Sequence, residues 1–259
     1  MESLPANPSI AMRVLWLVDD PRMDAPSLAT SIELDPMLTA RLLRVANAAF
    51  YSPRSRVTNV SRAVVSVGFA TVQALAAASV SGIDEDAELP DRFWQHAAEV
   101  AHAASLVARH FGVGANDAFA AGLLHDMGEA VMCRIDPVAW KELAADTPVD
   151  SEERLAAERE VFGESHVEVV AHILRAWHLP ETLTAAVGAH HAEGSPTPLA
   201  GALTCGAAFA DLVCGHPSPE RLEWARHQLE TAGVGQEFVE RVGPRLVEET
   251  AALAEAFES

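Results

Sequence analysis

The 259-residue chain carries 18 Lys and Arg against 37 Asp and Glu, a formal net charge of −19, and 49% of its residues are apolar. So acidic a chain lacks the cationic surface that nucleic acid or an anionic membrane demands of a main partner, and Arg41, Arg44, Arg54 and Arg56 offer only a local basic patch. Cys133, Cys205 and Cys214 form no CxxC pair, Met1–Pro5 is no secretory leader, and no apolar run nears the roughly 20 residues of a membrane helix, so a reducing, cytoplasmic setting is expected.

Apolar residues recur at three and four along nearly the whole chain, which predicts an all-α fold. Val14–Val18 could pass for a buried strand, but it has no partner strand and is read as helix. Asp24 to Pro26 opens a short helix through Leu34. Asp35-Pro36, a capping Asp with Pro at the first helical position, opens the next, to about Ala48, with Leu38, Leu42, Val45 and Ala49 inward. Tyr51 to Val57, with Pro53, is a loop. Asn59 caps a helix that Gly68 ends, and a further Ala/Val helix runs to about Ser79. The acidic, irregular stretch Gly82–Pro90 is the expected boundary between two packed helical subdomains, 1–83 and 84–215, with 216–259 packing on the second. Helices are expected at about 91–111, 117–134, 150–162, 164–177, 181–191 and 197–214. Ser218-Pro219-Glu220 opens another that ends near Gly233, and an acidic helix closes the chain.

The sharpest chemical feature is His125-Asp126 in Gly122-Leu-Leu-His-Asp-Met-Gly128. A carboxylate placed among apolar residues needs a partner, and a metal ion is one. An isolated His-Asp pair is more simply a core or capping pair. This one has company: His96, His166, His190, His191 and Asp211 each fall among apolar residues on other predicted helices. Helical bundles build metal centres by converging ligands in this way. His102, His110, His172, His178, His216 and His227 lack such context and read as surface or structural residues. Trp94 and Trp177 read as core. Arg41, Arg44 and Asn47 share one helix face. They are either solvated or brace the N-terminal helices against the cleft or a partner.

The order His, His-Asp, His, His-His, Asp resembles the HD superfamily, and the chain is most similar to its HDOD family. The similarity runs from Leu4 to about Gly215: Asp35 to Asn47 with Tyr51, Ser61-Arg-Ala-Val64 with Val67-Gly68, Phe93 to His96, Gly122 to Asp126, Phe162-Gly163 with His166, Trp177 to Pro180, and His190-His191. It implies an HD-like second subdomain. It also implies that His96, His125, Asp126, His166, His190, His191 and Asp211 occupy the metal-ligand positions of HD-GYP phosphodiesterases, for one or two divalent ions of Fe, Mn, Zn or Ni. Two departures stand out. Glu129 replaces the Lys of the active relatives, and Ala192-Glu-Gly-Ser-Pro196 replaces their Gly-Tyr-Pro loop.

The expected function is therefore a bacterial signal-transduction output module, an adaptor for signalling proteins with little or no hydrolase activity. The alternative is a metal-dependent phosphohydrolase acting on a nucleotide or cyclic dinucleotide, with Asp126 as its catalytic residue. A nucleotide ligand bound without turnover and a homodimer remain open.

Overall fold

A computed structural model describes residues 8–18, 20–48, 56–81, 88–149, 151–192, 194–215 and 218–258. Among them there is no strand, so the all-α expectation holds. The first group of helices is α1 (Pro8–Val18), α2 (Ala25–Ile32), α3 (Pro36–Asn47), α4 (Val60–Val67) and α5 (Phe69–Val80). Then come α6 (Phe93–Val107), α7 (Ala115–Leu124), α8 (Met127–Ile135), α9 (Pro137–Asp146), α10 (Glu152–Phe162) and α11 (His166–Ala176). The chain finishes with α12 (Glu181–Val187), α13 (Pro198–Val213), α14 (Pro219–Thr231) and α15 (Gln236–Glu258). Tyr51, Pro53, Arg54 and most of the expected subdomain boundary, residues 82–87, lie outside the described residues.

Local chemistry sets most of these elements. Asp24 accepts from the Ser27 N–H, Asp35 from those of Met37 and Leu38, and Asn59 from that of Arg62, each satisfying an orphan donor of a first turn. Gly68 ends α4 at φ 81°, a left-handed region that glycine enters without a Cβ penalty. Asn47 bridges the end of α3 to the following loop: its side-chain N–H groups donate to the Leu43 and Val57 carbonyls at 2.6 and 2.7 Å, and its Oδ1 accepts from Val57 N–H at 2.7 Å. Arg41, expected in a basic patch, is buried, so it cannot present a cation to an anionic surface.

The periodicity misses one helix. α9 starts on Asp136-Pro137, the same Asp-Pro signal as α3, with Asp136 accepting from Ala139 N–H. The expected 181–191 helix stops at Val187, where Gly188 caps it.

The main apolar core runs from Leu15, Leu28 and Leu42 in the first helices to Phe119, Phe209 and Leu253 in the later ones, and a smaller one joins Met132 and Cys133 to Trp140. Trp94 belongs to the main core and Trp177 packs against it, as expected. α6 sits at the centre, against α7, α13 and α15. Two glycines let the backbones meet: a Cβ on Gly122 would lie 2.5 Å from Ala101 Cα, and one on Gly206 2.5 Å from Ala104 Cα. This close approach seats α7, which leads into His125, and α13, which carries Asp211, against α6. No single helix among the described residues is long and apolar enough to cross a membrane; α4 and α5 together pass by composition, but they bend by 106° and are largely buried.

Candidate metal centre

His96 lies in the first turn of α6. The expected 117–134 helix is broken: α7 ends at Leu124, α8 begins at Met127, and His125 and Asp126 occupy the break. The His125 Nδ1–H donates to the Gly122 carbonyl at 2.8 Å. That oxygen is the one a continuous helix would offer to the Asp126 N–H, so the side chain competes with the helical bond. Asp126 then leaves helical geometry at φ −99°, ψ 13°. Past the break, α8 passes so close to α11 that a methyl on Gly128 would collide with the His166 carbonyl.

His166 is the first residue of α11, set by a capping box between Ser165 and Glu168. His190 and His191 follow α12 in a turn, where the Val187 carbonyl accepts from His190 Nδ1–H at 2.7 Å. The structure brings six of the seven expected residues into mutual contact. Asp126 Oδ2 lies 3.0 Å from His125 Nε2 and 3.4 Å from His96 Nε2. Asp126 Oδ1 lies 3.5 Å from His190 Nε2 and 3.9 Å from His166 Nε2. The His191 ring packs against that of His190, tilted by 46° with centroids 4.2 Å apart. The seventh, Asp211 on α13, accepts from Arg221 Nε–H at 2.6 Å and belongs to none of the tight ligand groups among the described residues.

The anchoring of the imidazoles explains what this arrangement can hold. A carbonyl oxygen only accepts, so His125 and His190 carry their protons on Nδ1 and turn lone pairs at Nε2 inward. His166 Nδ1 is anchored at 2.8 Å on Glu158, a fully buried carboxylate that also accepts the His166 backbone N–H. His166 and His190 face each other with Nε2 atoms 3.5 Å apart. Asp126 Oδ1 is buried and accepts no hydrogen bond of good geometry. Lone pairs and a carboxylate oxygen turned on one another call for a cation between them, and outer partners that fix imidazole tautomers are the usual support of metal ligands.

Without a metal, protons take that role. Burial opposes charge on His166, but Glu158, then Glu129 and Asp126, push its pKa up to about 9. Burial also opposes ionisation of Asp126, yet the charge of His125 and the neighbouring imidazoles of His125, His190 and His96 hold it well below the usual carboxylate range. Burial lowers the pKa of His190, against the pull of Asp126.

Three groups of donor atoms lie within 4.8 Å of one another: His96, His125 and Asp126; His166, His190 and His191; and Glu129, Glu158 and His166. Imidazole with carboxylate suits zinc, iron, manganese or nickel, so the residues present fit a divalent metal. Glu158 had no sequence signal, because it sits eight residues before its partner on a different helix. Glu129 was visible only as a charge replacing a Lys; it lies 3.7 Å from Arg154 Nη1.

Two large cavities reach this cluster. One, of about 590 Å³, opens at His96, Asp126 and Glu129 and is lined by five carboxylates against Arg92, Lys141 and Arg154. The other, of about 580 Å³, opens at His190 and His191.

The profile of the HDOD domain family matches residues 4–193. The fold is that of a provisionally named phosphohydrolase from Shewanella amazonensis, with a TM-score of 0.75 at 24% identity over 98% of this chain and 95% of that one. An HDOD domain protein of unknown function from Geobacter sulfurreducens is 26% identical with a TM-score of 0.68, covering 99% and 94% of the two chains. The MmoQ response regulator of Methylococcus capsulatus is 27% identical with a TM-score of 0.53, covering 95% and 98%. An uncharacterized protein of Treponema pallidum is 24% identical over 74% of this chain, which spans 38% of that protein's length.

Proposed function

Since the chain belongs to the HDOD family, we propose that it is a signal-transduction output module, an adaptor for signalling proteins whose HD-type centre takes a divalent metal and turns over nucleotides slowly or not at all. The observation that supports the metal is the buried Asp126 Oδ1, which accepts no hydrogen bond while imidazole Nε2 atoms of His190 and His166 face it. His96, His125, Asp126, His166, His190 and His191 would hold the ion, with Asp211 at the margin. A bound divalent ion supplies Lewis acidity and a more acidic water.

What argues against turnover is the neighbouring charge. A phosphodiester held in line needs cations or backbone donors aimed at it. Glu129 stands where the active relatives have Lys, and it is one of five carboxylates that face three cations in the cavity there. Here Glu158 orients His166 and Glu129 adds negative charge beside it, so neither supplies the cation that a substrate phosphate needs. In this reading the outer faces of the helices carry the signal to a partner, with 1–83 and 84–215 as two packed units and 216–259 closing over the second.

The second reading, a metal-dependent phosphohydrolase, is favoured by the six converging ligand candidates; there Asp126 would orient the attacking water. Elemental analysis of the purified chain, followed by a hydrolysis screen with manganese, iron and nickel, separates the two. We expect bound transition metal that is lost in Asp126→Ala, with cleavage of cyclic dinucleotides and nucleoside phosphates at background. Multiple-turnover cleavage that disappears in a folded Asp126→Ala would make the protein an enzyme, and metal-free protein would remove the metal centre.

A further inference from the structure

Four imidazoles come within 3.9 Å of the Asp126 carboxylate, and they are not held equally. The side chains of His125, His166 and His190 are 3%, 1% and 6% exposed, whereas that of His96 is 29% exposed, so burial does least to fix it. His96 also stands in the first turn of α6, and a first turn carries the orphan N–H groups that a capping side chain usually satisfies. α6 has no such side-chain cap. Its N-cap residue, Arg92, is left-handed at φ 59°, ψ 22°, where a cap is normally extended. A residue with a Cβ keeps that conformation only when its surroundings impose it.

The bonds of Arg92 show what it is held for. Its carbonyl accepts the His96 backbone N–H at 2.8 Å, the first helical bond of the turn. Its Nε–H donates to Gln95 Oε1 at 3.0 Å and its Nη2–H to Glu99 Oε1 at 3.2 Å, and Gln95 Nε2–H donates to the same Glu99 oxygen at 3.1 Å. Residues 92, 96 and 99 share one helix face, so this closed set of three side chains brackets the imidazole. Glu99 is buried, and burial pushes its carboxyl up while the charges of Arg92 and then His96 pull it back. Arg92 is thus the cation that offsets a carboxylate within reach of His96. A planar guanidinium serves both acceptors at once, which an ammonium does less well.

We propose that Arg92 is a positioning residue for His96: by tying Gln95 and Glu99 together it fixes the first turn of α6 and keeps the His96 imidazole against Asp126. The inference deepens the metal-centre reading and rests on it only for the affinity half of the test.

The first half needs no metal. The full chain, stripped by a chelator, is labelled with diethyl pyrocarbonate, and the rate at each histidine is read by mass spectrometry. Arg92→Gly removes the side chain at a φ that glycine accepts, so the fold should survive. We expect His96 to label at least threefold faster in Arg92→Gly and by an intermediate amount in Arg92→Lys, while the exposed His172 on α11 is unchanged. Gln95→Ala removes one strand of the tie and covers the case in which Arg92→Gly does not fold; it should speed His96 about twofold. The second half is manganese(II) affinity by chelator competition, in a double-mutant cycle. Arg92→Gly should weaken it about tenfold, and less than twofold in a His96→Gln background, because Arg92 acts through His96. Unchanged His96 labelling in a folded Arg92→Gly, or in Gln95→Ala where Arg92→Gly does not fold, would overturn the inference. So would an equal affinity loss with and without His96, which would leave Arg92 a purely structural residue. A chain that takes up no manganese would remove the metal centre and leave the labelling to decide, whereas metal bound with unchanged labelling would sink this inference alone.

Discussion

The helices before residue 81 and those from α6 to α13 bury polar groups for opposite reasons. In the first set the buried or half-buried polar side chains mostly serve the backbone: Asp35 caps α3, Ser79 donates to the Leu75 carbonyl, and Asn47 ties α3 to Val57. Around them Leu28, Ile32, Leu38, Leu42 and Val45 are essentially solvent-free. In the second set, ionisable groups are buried against one another: His125, His166 and His190 around Asp126, and Glu158 under His166. Burying charge is costly even when it is paired, and apolar residues of similar volume often serve stability as well or better. The first region is therefore built for stability, and the second spends stability on a site.

That contrast can be broken by substitutions that should act on one region alone. The largest expected effect is Leu42→Ala, which should cost about 2–5 kcal/mol of unfolding free energy in urea melts while leaving metal content per folded chain unchanged. A loss of metal from the folded fraction would mean that the two regions are not separable. Next is Glu158→Gln. It removes the carboxylate that anchors His166, and it should weaken metal affinity about 10–100-fold, roughly 1.4–2.7 kcal/mol, in a chelator competition. An unchanged affinity would leave Glu158 a purely structural residue.

A smaller effect is set by pH. His102, buried between α6 and α15 with Glu249 3.1 Å away, has its pKa lowered from 6.5 to about 3 by burial and then by Arg245. Between those values the unfolded chain binds the proton and the folded chain does not. The stability it contributes is complete above pH 6.5 and falls as pH drops toward 3. His102→Gln should therefore lose less stability than the parent chain between pH 7 and pH 5, and parallel losses would refute the buried neutral imidazole. The smallest effect is Asn59→Ala, which removes the cap on Arg62 N–H and should cost about 1 kcal/mol with metal binding intact.

Much of the fold was legible because its signals are local. Asp35-Pro36 and Asn59 mark helix starts by chemistry that acts within four residues, and the same rule read at Asp136-Pro137 would have located α9. The candidate ligands were legible as residue types, since histidine and aspartate among apolar residues demand partners, and family order told which to group. What the sequence could not determine is set by contacts between distant segments. The break between α7 and α8 depends on which acceptor His125 takes, and on the space that Gly128 leaves beside His166. Residue types alone do not show that Asp211 turns to Arg221, that Glu158 lies beneath His166, or that His102 is buried against α15. Hydrogen bonds and charge pairs act over a few ångströms, and only the packing of α6 against α7, α13 and α15 decides which side chains come within that range.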